Sequence, residues 1–141
     1  METITLKGRE IPLLYTMMEM KQIQEEVAPA GAFLYQMLGV SKDDPEDHSL
    51  YGTPEHLGAL AKAIRILGNA GLEENGQEPD LTDKWVMRAI RPAKIQDAMR
   101  ACLDAFNEGM ASEIPDKKQE GPVDVTLEKL NKKKEKDSGR T

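Results

Sequence analysis

The sequence predicts a mainly α-helical domain of four to five helices, with an N-terminal β-hairpin and a disordered C-terminal tail. Three observations support this prediction. Residues 95–110 place apolar side chains at steps of three and four positions, which is the spacing of one face of an α-helix. Two short β-prone runs near the N-terminus flank a glycine, as in a hairpin. Beyond Gly109 the chain has no aromatic residue and is interrupted by prolines and glycines, as in segments that bury no core.

The β-hairpin is expected within residues 3–14. The runs at residues 3–6 and 11–14 are rich in Ile, Leu and Thr, and Gly8 between them can adopt the positive φ of a tight turn. Pro12 has no N–H to donate, so its strand is expected at a sheet edge. Because a two-stranded ribbon is only marginally stable alone, we expect it to dock on the helices.

Thr16 and Glu19 have the spacing of a capping box, which predicts a first helix from Met17 to about residue 28. Met18 lies off the apolar face of this helix, so it is the methionine expected to be exposed and available to a partner. A proline ends this helix, and a glycine at residue 39 closes a short second one. The inner face of the first helix is predicted to hold Met17, Met20, Ile23 and Val27.

The segment Thr53-Pro54-Glu55 predicts the start of a central helix, because it combines a cap, a proline at the first position and an acid in the first turn. The inner face of that helix is predicted to hold Leu57, Leu60, Ala61, Ile64 and Leu67. Thr82 caps a short helix in which Trp85 is expected to be a core anchor, and Arg91-Pro92 breaks the chain before the long final helix. The preceding elements are expected to pack on the apolar stripe of this final helix, formed by Ile95, Ala98, Met99, Cys102, Leu103, Phe106 and Met110.

No pattern in the sequence points to catalysis, to a cofactor or to a bound metal ion, so the chain is not expected to be an enzyme. His48 and His56 have no partner at metal-ligand spacing, and both are interpreted as surface residues. The acidic run at residues 43–47 lacks the glycine and glutamate positions of a calcium-binding EF-hand loop, so it is interpreted as a solvated loop. Cys102 belongs to the apolar stripe and is expected to be buried and inert.

Charge divides the chain at the predicted boundary between a domain, residues 1–110, and a tail, residues 111–141. The domain holds 11 Lys/Arg and 18 Asp/Glu, whereas the tail ends in a cluster of lysines. An acidic domain repels phosphate, so nucleic acid is not expected as a partner. No apolar run reaches the length of a membrane span, so no membrane partner is expected either. A single cysteine and the lack of a signal-peptide pattern favour a reducing cytoplasm.

An alternative interpretation is a small helix-turn-helix DNA-binding regulator. Its two helices would be residues 82–90 and 92–107. The charge of the second helix weakens this alternative, because a recognition helix has an excess of positive charge. This helix instead contains two basic residues, Lys94 and Arg100, and three acidic ones, Asp97, Asp104 and Glu108.

In the order of its segments, the chain resembles the tail assembly chaperones of long-tailed bacteriophages and prophages over residues 3–110. A β ribbon leads into a capped helix in ITLKGREIPLLYTMMEMKQIQEEV, and a central helix follows in TPEHLGALAKAIRILGNAG. The closing part is LTDKWVMRAIRPAKIQDAMRACLDAFNEGM, in which an "RP" break separates a short helix from a long one.

The resemblance implies a small helical protein without catalytic residues or cofactors, which binds the tape-measure protein and brings tail-tube subunits to it. It also implies action in the cytoplasm of the bacterial host and absence from the mature virion, and it leaves homo-oligomerisation open. Many members of this family have a second, longer product made by a programmed ribosomal frameshift. Lys132-Lys133-Lys134 is compatible with an A-rich slippery codon tract, and equally with a solubilising basic tail.

Overall fold

The computed structural model of this chain describes residues 1–111, which form an antiparallel β-hairpin and five α-helices. The predicted fold class is confirmed for these residues. The predicted disordered tail lies, apart from Ala111, outside the described residues. In chain order the elements are β1 (Glu2–Leu6), β2 (Arg9–Leu13), α1 (Met17–Glu26), α2 (Ala30–Leu38), α3 (Pro54–Glu74), α4 (Asp83–Ala89), a 3-10 turn (Pro92–Lys94) and α5 (Ile95–Met110).

The hairpin reverses on two residues in the left-handed backbone region, Lys7 at φ 52° and Gly8 at φ 72°. A two-residue turn of this kind matches the twist of the flanking strands, which explains the regular register between β1 and β2. The positive φ predicted for Gly8 is confirmed. The hairpin docks on α3, where the backbone N–H of Leu14 donates to the carbonyl oxygen of Leu67 at 3.0 Å.

The three predicted helix caps are also confirmed. The side-chain oxygens of Thr16, Thr53 and Thr82 each accept a backbone N–H from the first turn of α1, α3 and α4. Gly39 closes α2 with φ 72°, the left-handed conformation that its position predicts. Local sequence therefore determines where most of these helices begin or end.

The central element of the domain is α3, which contacts β2, α1, α2 and α4. The prediction that the other elements pack on the long C-terminal helix is therefore wrong, because they pack on α3 instead. The physical reason is that α3 is apolar on more than its predicted inner face, as a helix covered on several sides must be. Its additional buried residues, apart from His56, are Ala59, Ala63, Ile66, Gly68, Gly71 and Leu72.

The final helix, α5, packs by one side only. The centroid of the Phe106 ring lies 4.4 Å from that of the Tyr15 ring and 5.6 Å from that of the Phe33 ring. Both pairs have edge-to-face geometry. Ala98 and Cys102 on the predicted stripe are buried as well. The stripe does not continue to its predicted end, because Met110 in the last turn is 51% exposed.

Candidate interaction surfaces

The first candidate surface is the methionine pair, Met17 and Met18, in the first turn of α1. Met17 is 82% exposed and Met18 is 77% exposed. The exposure predicted for Met18 is found, whereas the placement of Met17 on the inner face is wrong. Glu19 takes the inward position instead and is buried. Large apolar side chains exposed to this degree and adjacent to each other are a feature of interaction sites.

The capping box at the start of α1 explains this orientation. One carboxylate oxygen of Glu19 accepts the backbone N–H of Thr16 at 2.8 Å and also accepts the Thr16 hydroxyl. In return, the Thr16 hydroxyl oxygen accepts the backbone N–H of Met18 at 3.3 Å. Because Glu19 is turned inward, Met17 lies about 200° away around the helix and faces solvent.

The residue preceding the cap also fixes this turn. Tyr15 packs on Phe106, and its burial, together with the negative charge of Glu19, raises the pKa of its phenol. An added side-chain atom at Gly109 would lie 2.3 Å from the Tyr15 carbonyl oxygen, so the two backbones are in close contact. The methionine pair is therefore held on a well-anchored turn.

The second candidate surface is the apolar groove between α3, the end of α4 and the 3-10 turn. Its volume is about 260 Å³. Met87, one of its lining residues, is 48% exposed. All of the lining residues are apolar, namely Leu57, Leu60, Ala61, Met87, Ile90, Pro92 and Ile95.

An ion-pair network beside this groove holds α1, α3 and α4 together. Arg65 donates from its Nε to Asp83 at 2.6 Å and from a terminal nitrogen to Glu26, and Lys62 donates to Asp83 at 2.7 Å. Burial raises the pKa of Asp83, but the hydrogen bonds from Lys62 and Arg65 outweigh this effect and the pKa is lowered. Since the Arg65 side chain is only 16% exposed, this network is less screened than an ordinary surface ion pair.

Two basic side chains of the hairpin lie over the Trp85 ring, on another side of α4. Lys7 Nζ lies 5.6 Å and Arg9 Cζ lies 5.8 Å from the centre of the Trp85 ring, within the range of cation–π contacts. Arg9 also pairs with Asp80 at 2.8 Å. Trp85 is half-buried and packs on the core, so it acts as the predicted anchor while part of its ring remains at the surface.

His56 is fully buried, so its interpretation as a surface residue is wrong, whereas His48 is exposed as predicted. The backbone N–H of Gly52 donates to His56 Nδ1 at 2.9 Å, which leaves the ring proton on Nε2. That nitrogen lies 3.1 Å from Met99 Sδ, and the Tyr51 ring packs edge-on at 4.9 Å. Burial lowers the pKa of His56, which favours the neutral imidazole. Through its contact with Met99, this imidazole links the start of α3 to α5.

Helical periodicity contained the signal for this burial. His56 shares its helix face with residues four, seven and eleven positions later. Those residues, Leu60, Ala63 and Leu67, are all buried.

Cys102 is fully buried, as predicted, and burial raises the pKa of its thiol to about 12. Such a thiol stays protonated and is a poor nucleophile. Within residues 1–111, no three His, Cys, Asp or Glu side chains come together in a way that could hold a metal ion. None of the helices in this part of the chain combines the length and apolar character that a membrane span requires.

Comparisons of the chain with protein-family models, with curated proteins and with solved structures found no match. The features of the domain that bear on function are the methionine pair and the apolar groove. Both are exposed apolar surfaces, and such surfaces serve to bind other molecules.

Proposed function

We propose that this chain is a non-enzymatic tail assembly chaperone of a long-tailed bacteriophage or prophage. It binds the tape-measure protein and helps to bring tail-tube subunits to it, acting in the bacterial cytoplasm and not in the mature virion. The observation that carries the proposal is the methionine pair, in which Met17 and Met18 are 82% and 77% exposed. The resemblance in segment order, from the N-terminal ribbon to the "RP" break, supports the same function.

The chemistry of the methionine pair suits a client of this kind. A tape-measure protein is expected to be long and helical, with apolar stripes that aggregate before the tail tube encloses them. Methionine is unbranched and polarisable, so it adapts to apolar faces of different shape, as a chaperone must. The net charge of −6 favours solubility while such apolar side chains are exposed.

The direct test is co-expression with the cognate tape-measure protein. We expect the chain to increase the amount of tape-measure protein that remains soluble after centrifugation, and we expect the two proteins to co-purify. Met18→Glu should reduce the co-purified fraction, because it places a charge in the middle of an apolar contact. The thermal unfolding of this variant should match the wild type, since Met18 is 77% exposed.

Gln96→Glu is the matched control for this substitution. It introduces the same charge at an exposed position in the first turn of α5, away from the methionine pair. We expect it to leave co-purification unchanged. The chaperone proposal should be abandoned if tape-measure solubility does not change on co-expression, even when a frameshifted longer product is supplied as well.

The helix-turn-helix alternative makes an opposing prediction that a gel shift tests. Its second helix corresponds to the 3-10 turn and α5, where exposed Asp97 and Glu108 accompany Lys94 and Arg100. This mixed charge gives no net attraction to phosphate. We expect no shift of random duplex DNA at low salt, and a shift that weakens steeply with added salt would favour the regulator.

A further inference from the structure

The 3-10 turn between α4 and α5 separates apolar side chains that line the groove from charged ones that face solvent. The turn is closed by a hydrogen bond from the Lys94 N–H to the Arg91 carbonyl oxygen at 2.7 Å. In 3-10 geometry, side chains three positions apart lie above one another. Pro92 and Ile95 therefore align, and both line the apolar groove. Arg91, the residue with extended backbone before the turn, and Lys94, the last residue of the turn, are both exposed.

The cations beside the groove are largely available to a partner. Arg88 and Arg91 form no ion pair with any residue in 1–111. Lys94 lies 3.7 Å from Asp97, and both side chains are more than two-thirds exposed, so solvent screens this pair. On the α3 side, Lys62 is already engaged by Asp83. The open rim of the groove is thus basic, although the domain as a whole is acidic.

We propose that the apolar groove binds an amphipathic α-helix of a partner protein whose apolar face is flanked by carboxylates. The apolar side chains enter between Leu57, Met87 and Ile95, and the carboxylates pair with Arg91 and Lys94. A space of about 260 Å³ exceeds the roughly 150 Å³ cavity that holds one benzene molecule, so more than one aliphatic side chain fits. This arrangement corresponds to helix-in-groove recognition with charged flanks.

Charge argues against two other occupants of the groove. The apolar residues of this chain's own C-terminal segment, within residues 123–130, lie among Asp124 and Glu128, but a cluster of four lysines within residues 132–136 follows at once, and the basic rim repels this cluster. A second copy docked groove to groove about a two-fold axis would bring the two basic rims close together. The groove also shares no residue with α1, so this inference does not depend on the client assigned to the methionine pair.

The test uses two fluorescein-labelled synthetic peptides of about 18 residues, long enough to form a helix. Both carry leucines along one face, with glutamates at the flanks in the acidic peptide and lysines at the same positions in the basic one. Each is titrated with the full-length chain, and binding is followed by fluorescence anisotropy. We expect the acidic peptide to bind about tenfold more tightly or better at low salt, with a preference that shrinks as salt is added.

Charge reversal at the rim separates this proposal from unselective apolar binding. The double variant Arg91→Glu, Lys94→Glu should invert the preference, so that the basic peptide binds more tightly. Arg100→Glu is the matched control, since Arg100 is exposed on α5 but lies about 140° around the helix from Ile95. It should change neither affinity by more than about twofold. Met87→Ser should lower the affinity for both peptides about tenfold, because it removes apolar contact area from the groove. It should not unfold the domain, since Met87 is 48% exposed.

Four results would overturn the assignment. The first is that neither peptide binds, and the second is that both bind equally well. The third is competition by an unlabelled peptide of residues 121–136, which would make the chain's own C-terminal segment the occupant. The fourth is a dimer in sedimentation analysis that Met87→Ser dissociates, which would make a second copy the occupant.

Discussion

Gly71 in α3 offers a sharp test of how the hairpin is seated. A Cβ atom at this position would lie 2.1 Å from the Pro12 carbonyl oxygen and 2.5 Å from the carbonyl carbon. The shorter distance falls 1.3 Å short of the 3.4 Å at which ordinary contact begins. Because the obstructing atoms belong to the backbone, no side-chain rotation relieves the clash. Gly71→Ala must therefore push β2 away from α3 and disturb the hydrogen bond from Leu14 to Leu67.

The expected loss can be estimated from three contributions. Overpacking of a closed interface costs about 1–3 kcal/mol. Weakening the Leu14–Leu67 hydrogen bond costs about 1 kcal/mol more. Replacing glycine by alanine inside a helix returns about 1 kcal/mol. We therefore expect Gly71→Ala to lower the free energy of unfolding by about 1–3 kcal/mol, a large share of the ~5–15 kcal/mol typical of a domain.

Gly58→Ala is the matched control, since Gly58 lies in the same helix and an added Cβ there meets nothing within 4 Å. This variant should gain up to about 1 kcal/mol from helix propensity alone. The assay is urea unfolding of both variants, followed by far-UV circular dichroism and by Trp85 fluorescence. Equal stabilities of the two variants would refute the close contact between Pro12 and Gly71.

The core residues Phe106, His56 and Cys102, and the end of α5, can each be tested by one measurement. Phe106→Ala should lower the free energy of unfolding by about 3–5 kcal/mol in urea titrations, because it removes contacts with two aromatic rings; a loss below about 1 kcal/mol would mean that this face is not core. Burial lowers the pKa of His56 in the folded chain. In the unfolded chain the imidazole takes up a proton at pH ~6.5, whereas in the folded chain it is protonated only at lower pH. The contribution of neutral His56 to the free energy of unfolding should be complete above that pH and should be lost as the pH falls through the lowered pKa of the folded chain. The urea midpoints of wild type and His56→Gln should therefore converge or cross as the pH is lowered. Midpoints that differ by the same amount at every pH would contradict this. Cys102 should react with a disulfide reagent only as fast as the chain unfolds, since its thiol is buried with a pKa of about 12; rapid labelling of the native chain would show that it is accessible. A chain ending after Ala111 should keep its helical signal and cooperative melting, and a marked loss of either would place part of the core beyond that residue.

Local interactions explain what could be predicted from the sequence of this protein. The capping box of Thr16 and Glu19, the turn at Gly8 and the left-handed Gly39 involve residues only a few positions apart. Their geometry is set by the backbone conformations and side-chain hydrogen bonds that these residue types favour. Apolar spacing similarly placed Cys102 and Phe106 on the buried side of α5, because periodicity reports which side chains a helix directs together.

Tertiary contacts decided the remaining features. Met17 faces solvent because the packing of Tyr15 on Phe106 sets how the first turn of α1 meets the core, although the apolar spacing of α1 also allows Met17 on the inner face. His56 is buried because Tyr51 and Gly52 in the loop before α3 and Met99 in α5 assemble around it. The apolar groove likewise combines side chains from residues 57–61 and 87–95, which are neighbours only after folding. The sequence determined which side chains share a face of each helix, because this depends only on their spacing. The tertiary structure decided which of those faces are buried, because burial depends on packing between segments that are distant in the chain.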